Sequence, residues 1–109
     1  MRIDFNEINE VTVPGMNGGT GEMSARMHMS ERGKIIPCRI HPASSIGAHR
    51  HETSDDINYV LSGTGVATCD GVEEPLSAGV CHVCPKGSEH AIVNTGDDDL
   101  CLLTVVVER

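Results

Sequence analysis

The chain has 109 residues, enough for one compact domain and too few for two ordinary ones. Asp and Glu total 16 against 8 Lys and Arg, a formal charge of −8, and the aromatics are one Phe and one Tyr. That balance excludes nucleic acid and anionic membrane surfaces, which require a basic footprint, and it leaves no platform for stacking single strands.

Residues 1–13 alternate apolar positions (Ile3, Phe5, then Ile8, Val11, Val13), as an edge strand or an arm onto a partner would. Pro14 to Gly21 holds four glycines in eight residues and reads as a plain loop. No Gly-Lys-Ser/Thr follows it, so it is not a phosphate-cradling loop. The chain then reads as short strands between turns. Strands are predicted over Glu22–Met29, Lys34–His41, Ile57–Leu61, Gly65–Cys69, Val80–Cys84, His90–Asn94 and Leu100–Val107. Asp70-Gly71 is a two-residue hairpin signal, and Pro42-Ala43, Gly63, Pro85-Lys86-Gly87 and Thr95-Gly96 mark the other reversals. Strands at this spacing, with no sustained helical period, predict an all-β sandwich or barrel.

The longest apolar stretch, Leu100–Val107, is interrupted by Thr104 and falls well short of the ~20 residues a membrane span needs. The first residues lack the basic and apolar regions of a secretory signal. Five cysteines without a framework spacing read as reduced thiols. A cytoplasmic protein is the expectation.

Four residues carry the chemistry. His49 and His51 are one residue apart, so on a strand both imidazoles project from one face. Asp56 follows across a short bend, and His90 lies two turns further on. Three imidazoles and a carboxylate suit Fe, Mn, Ni, Zn or Cu. From spacing alone the set also fits polar residues lining a barrel.

The residues around these four resemble the two motifs of the cupin superfamily. The first is Pro42-Ala43, His49-Arg50-His51, Asp56 and Gly63. The second is Gly79, Pro85, Gly87, His90 and Asn94. The resemblance covers residues 43–94. It implies one cupin domain over 1–109, a double-stranded β-helix (jelly-roll) barrel with its site in the mouth, and residues 1–20 as an arm and Gly-rich loop. It implies one divalent transition metal (Fe, Mn, Ni or Zn) on His49, His51, Asp56 and His90. Two positions depart from the family. Ala43 stands where Gly is usual. Asp56 stands where Glu is usual and is shorter by about 1.5 Å, one C–C bond. Either the backbone moves inward, or Asp56 binds through water, or the site is weaker. Asp55 and Glu52 are expected to face away from the site.

Cys81-His82-Val83-Cys84 matches the spacing of a redox dithiol or half a zinc site. On a strand, however, residues three apart face opposite ways, and no helix end is at hand to activate a thiol. His82 shares a face with Cys84 and is the candidate catalytic proton carrier, with a partly exposed strand position as its alternative. Asn58 alternates with Asp56 and Val60 and is expected to face inward as a substrate-binding amide. Arg39, with Arg26, His28 and His41, lies on a strand that can reach the interior, where an arginine would select a carboxylate or phosphate. Met23, Met27 and Met29 read as core or interface packing. The C-terminal strand, apolar on both faces, and the N-terminal arm are the expected homodimer interface.

Two functions remain open. One is a metal-dependent enzyme acting on a small oxygen-bearing metabolite, a dioxygenase or a Lewis-acid isomerase or lyase. The other is a non-catalytic binding or sensor protein using the same cavity.

Overall fold

A computed structural model describes all 109 residues. The strands are β1 (Val11–Pro14), β2 (Glu22–Ala25), β3 (His28–Ser30), β4 (Gly33–Ile40), β5 (Ser45–Arg50) and β6 (Ser54–Ser62), followed by β7 (Thr64–Cys69), β8 (Val72–Ser77), β9 (Cys81–Cys84), β10 (Glu89–Asn94) and β11 (Leu100–Glu108). They pair antiparallel into two sheets. A seven-stranded sheet runs β1-β2-β4-β11-β6-β9, with β3 also on β4, and a four-stranded sheet runs β5-β10-β7-β8. This is the expected all-β jelly-roll barrel. No helix is long and apolar enough to cross a membrane.

Side-chain alternation explains both the core and the site. The inward row changes character along each strand. On β6 it runs Val60, Asn58, Asp56, and on β10 it runs Ile92, His90. On β4 it passes from Ile40 and Cys38 toward Lys34, and on β11 from Leu100 and Leu102 to Thr104. One end of the barrel is therefore apolar, a cluster including Ile40, Val60, Ile92, Leu100 and Leu102, and the other is polar.

Several local outcomes follow from single residues. Asp70 and Gly71 both take positive φ (48° and 82°), as a two-residue hairpin requires, and join β7 to β8, a strand the sequence reading left out. The single strand expected over Glu22–Met29 is broken into β2 and β3, although both pair with β4 in one register. Pro37 on β4 is the reason: its carbonyl accepts from Arg26 N–H, but it has no N–H to return. The N-terminal segment does not project. β1 pairs with β2, and the Arg26 guanidinium donates to the carbonyls of Phe5 and Ile8.

Candidate metal centre

β5 carries a bulge. Its register with β10 slips between His90↔His49 and Ile92↔Ile46, so Gly47 and Ala48 oppose one residue, Ala91. Strict alternation would put Ile46 and His49 on opposite faces, whereas with the extra residue both line the same cavity. The chain passes so tightly there that a Cβ on Gly47 would lie 2.2 Å from the Asn17 carbonyl oxygen.

His49, His51, Asp56 and His90 converge as expected, with their ligand atoms all within 4.8 Å of one another. His90 Nε2 lies 3.1 Å from His51 Nε2, 3.2 Å from His49 Nε2 and 3.0 Å from Asp56 Oδ2. Asp56 Oδ2 is 3.1 Å from His51 Nε2, so the shorter carboxylate still reaches the cluster. Donors at right angles around a cation with bonds of ~2.1 Å are about 3.0 Å apart. Asp56 Oδ1 is buried and has no hydrogen-bond partner. The donor set and this orphaned oxygen fit a divalent transition metal better than a hydrogen-bonded cluster, in which one His90 nitrogen cannot satisfy three neighbours with a single proton.

The charge states agree. Burial holds the His51 imidazole below its ordinary pKa, helped by His49 and His90 and opposed by Asp56. Burial alone would raise Asp56, but the adjoining His90 imidazole, with His51, holds its carboxyl below the ordinary value. His49 Nδ1 faces the Gly47 carbonyl at 2.7 Å. A carbonyl only accepts, so Nδ1 carries the proton and Nε2 presents its lone pair to the cluster.

The cluster closes a cavity of about 300 Å³ whose lining is mostly apolar, including Met16, Met27, Ile36 and Val106. Asn58 is buried in this wall. Thr104 donates to its Oδ1 at 2.8 Å, so that oxygen is already engaged. Cys38 also lines the cavity, and burial pushes its thiol up to about 11, which keeps it a neutral wall group. Met16, Asn17 and Lys34 are among the lining residues that escaped the sequence reading. Met16 and Asn17 come from the Gly-rich loop, which is thus a wall of the cavity rather than a plain connection. Lys34 lies on the row of Ile36, Cys38 and Ile40, which the structure turns inward and whose parity the sequence does not fix.

Other candidates lie elsewhere. His82 is fully buried and is not part of the cavity wall; its ring stands behind His90, Nε2 to Nδ1 at 2.9 Å. Arg39 points out of the barrel, where it pairs with Asp99 at 2.8 Å and Glu10 at 2.7 Å. Asp55 faces away, accepting from Lys86 N–H and Arg109. Cys81 is exposed and Cys84 buried, on opposite faces as expected. Ser24 Oγ, His41 and Asp99 line up at 2.7 and 3.0 Å. Ser24 is only 2% exposed and also bonds Thr12, so no reacting atom reaches it and the row serves as a structural tie.

Residues 38–106 match the model of the family described as cupin domain. The chain is 33% identical over 113 residues to the oxalate-binding protein of Thermotoga maritima, covering 98% of this chain and 93% of that protein. It superposes on the crystal structure of a predicted oxalate decarboxylase from Thermotoga maritima with a TM-score of 0.93, at 31% identity and 100% coverage of both chains. The cupin domain of Schizosaccharomyces pombe Cnp3 shares the fold, at a TM-score of 0.79 and 10% identity over 97% of this chain and 72% of that one.

Proposed function

The chain belongs to the cupin family, and from that premise we propose that it binds a small carboxylate, with oxalate the first to test, at a divalent metal held by His49, His51, Asp56 and His90. The observation that carries this reading is the meeting of that cluster with Lys34 in one small cavity whose remaining wall is mostly apolar. A bound Fe, Mn, Ni or Zn ion would supply open positions for oxygen donors. The mostly apolar wall of this cavity of about 300 Å³ suits a small ligand. Lys34 contributes a positive charge that acts on His51 and is the candidate partner for a second carboxylate. The name of the Thermotoga relative, oxalate-binding protein, supports the ligand class.

Decarboxylation is the second reading, favoured by the name of the superposing Thermotoga structure. Breaking the C–C bond of oxalate leaves one carbon that must receive a proton. Apart from the four cluster residues and the neutral Cys38 thiol, Lys34 is the titratable side chain in the wall and the candidate to supply it, whereas His82 is behind the wall. The outer face of the seven-stranded sheet, with Tyr59, Leu61, Val83 and Val107 exposed, supports a homodimer formed through it.

The test is elemental analysis of protein purified tag-free without added metal, with His49→Ala as control. Calorimetric titration with oxalate follows, and formate is assayed in the same samples. Near-stoichiometric metal lost in the variant, with oxalate heat only in the loaded protein, is expected. Formate release selects the second reading. A protein that takes up no metal on reconstitution refutes both.

A further inference from the structure

His90 is held by a row of side chains that ends at the surface. Its Nδ1 lies 2.9 Å from His82 Nε2, and His82 Nδ1 lies 3.2 Å from Glu74 Oε1. His82 has no exposed side-chain surface, while the Glu74 side chain is 42% exposed. The row crosses a seam in the barrel. Glu74 is on β8 and His82 on β9, the outermost strands of the four-stranded and seven-stranded sheets, and His90 is on β10. The His82 and His90 rings stack with centroids 5.2 Å apart.

The direction of each hydrogen bond can be worked out from one end. A carboxylate accepts and cannot donate, so the His82 nitrogen facing Glu74 carries the proton. A neutral His82 then has a bare Nε2, which must accept, so His90 Nδ1 is the donor. A neutral His90 protonated at Nδ1 has a bare Nε2, and that is the nitrogen within 3.2 Å of His49, His51 and Asp56. A metal ligand needs this tautomer.

We propose that Glu74, acting through His82, fixes the tautomer and ring orientation of His90, making both positioning residues for the metal centre. The inference rests on the reading of His90 as a metal ligand. His49 obtains the same service from the Gly47 carbonyl, which no side-chain substitution removes. His90 depends on the side chain of Glu74, which lies in its own sheet but reaches it through His82, a residue of the other sheet. Without Glu74, His82 is free to carry its proton on Nε2 and donate to His90. The His90 proton then sits on Nε2, where it blocks the lone pair. The only sequence signal for Glu74 is its alternation with the buried Leu76.

The test compares wild type, Glu74→Ala, Glu74→Gln and His49→Ala. Two readouts are used: Zn²⁺ affinity by competition with a chromophoric chelator, and imidazole tautomers of the metal-free protein from ¹H–¹⁵N correlation spectra. Removal of a group that orients a ligand typically costs 10–100-fold in metal affinity. Glu74→Ala is expected to lose about that factor and to show His90 protonated at Nε2. Glu74→Gln, whose amide oxygen still accepts, is expected to recover most of the affinity. A wild-type spectrum with His82 protonated at Nε2 overturns the proposal, as does a Glu74→Ala variant that keeps wild-type affinity while His49→Ala loses Zn²⁺. If His49→Ala also keeps it, the reading of the cluster as the metal site has failed, and the inference resting on it fails too. The spectra of wild type then say separately whether the hydrogen-bond row exists. Glu74 is half exposed, so its substitutions leave the fold intact, which the melting temperature of the metal-free variants verifies.

Discussion

Asp56 Oδ2 lies 3.0 Å from His90 Nε2, although Asp56 belongs to the seven-stranded sheet and His90 to the four-stranded one. The cluster thus joins the two sheets at the polar end of the barrel, where the apolar core no longer does. A cation bound there is bound only by the folded chain, and it stabilises by mass action. At a free metal concentration of 100 times Kd the gain is about 2.7 kcal/mol, and for a domain of this size each kcal/mol raises Tm by roughly 4 °C or more. Calorimetry is expected to show Tm rising by roughly 10 °C with excess Zn²⁺ or Mn²⁺, falling back with chelator, and not responding in His49→Ala. A Tm indifferent to chelator in protein shown to be metal-loaded would count against the cluster as the binding site.

Lys34 stands on the same inward row as Ile36 and Cys38 and lines the cavity, close enough for its charge to act on His51. A charge-assisted hydrogen bond contributes about 1.5–3 kcal/mol, which is roughly 10–100-fold in Kd. Lys34→Met is therefore expected to weaken oxalate binding by about that factor at unchanged metal stoichiometry. Acetate, which has no second carboxylate, should lose much less. Equal losses for the two anions would place the lysine's effect on the field of the whole cavity instead of on one contact.

The all-β class was legible because it rests on period-two alternation and on turn residues that act locally, whereas the convergence of His90 with His49, His51 and Asp56 was legible only through the resemblance to the two cupin motifs. His49 and His51 share a face, and Asp56, Asn58 and Val60 alternate inward, with no help from distant parts of the chain. Arg39 was misplaced because parity cannot be fixed for a strand whose two faces both carry mixed residues. Its partners Glu10 and Asp99 come from far along the chain. The bulge at Gly47 depends on the Gly-rich loop passing against it, and the break at Arg26 depends on Pro37 across the sheet, so neither is written in its own neighbourhood.

Ala43, in the place where the family has Gly, shows what a local departure costs. The Ser44 N–H donates to the His41 carbonyl, closing a turn with Pro42 and Ala43 at its centre, and Ala43 takes φ 58°. A Cβ in the left-handed region costs roughly 1–2 kcal/mol. Glycine relieves that cost but adds about 0.4–1 kcal/mol of unfolded-state entropy. Ala43→Gly is expected to stabilise by up to about 1 kcal/mol, seen as an upward shift of a urea midpoint at unchanged slope. A lower midpoint would mean the turn is not strained.

On the outer face of the seven-stranded sheet Tyr59 is cross-strand to Leu103 and Cys81, and Ile57 to Val105 and Val83. Tyr59, Leu61 and Val83 are 44%, 53% and 44% exposed, a contiguous apolar surface of the kind that marks an interface. If two copies cover this face, Leu61→Asp with Val83→Asp places charges in the contact and is expected to yield monomers at micromolar concentration in sedimentation, with an unchanged far-ultraviolet circular dichroism spectrum. A wild-type protein that sediments as a monomer would dispose of the interface outright.

Asp99 accepts from His41 at 3.0 Å and from Arg39 at 2.8 Å, which ties the turn before β11 to β4. The bond from His41, then Arg39, holds its carboxyl below the ordinary pKa. Asp55 and Asp70 are shifted the same way, mainly by the backbone N–H groups of Lys86 and Glu89. A carboxyl with a lowered folded-state pKa contributes stability that is fully present above its unfolded pKa, about 3.9, and lost as the pH falls through the folded value. The protein is therefore expected to lose stability progressively below about pH 4. Asp99→Asn should be less stable than wild type by on the order of 1 kcal/mol near pH 6, or roughly 4–8 °C in Tm. As the pH drops below the folded pKa of Asp99, the two proteins should converge, because wild type then carries a neutral group as well. Chemical denaturation of chelator-treated protein at a series of pH values reads the difference directly. Two curves that stay parallel into acid would show that Asp99 acts through its shape and not through its charge.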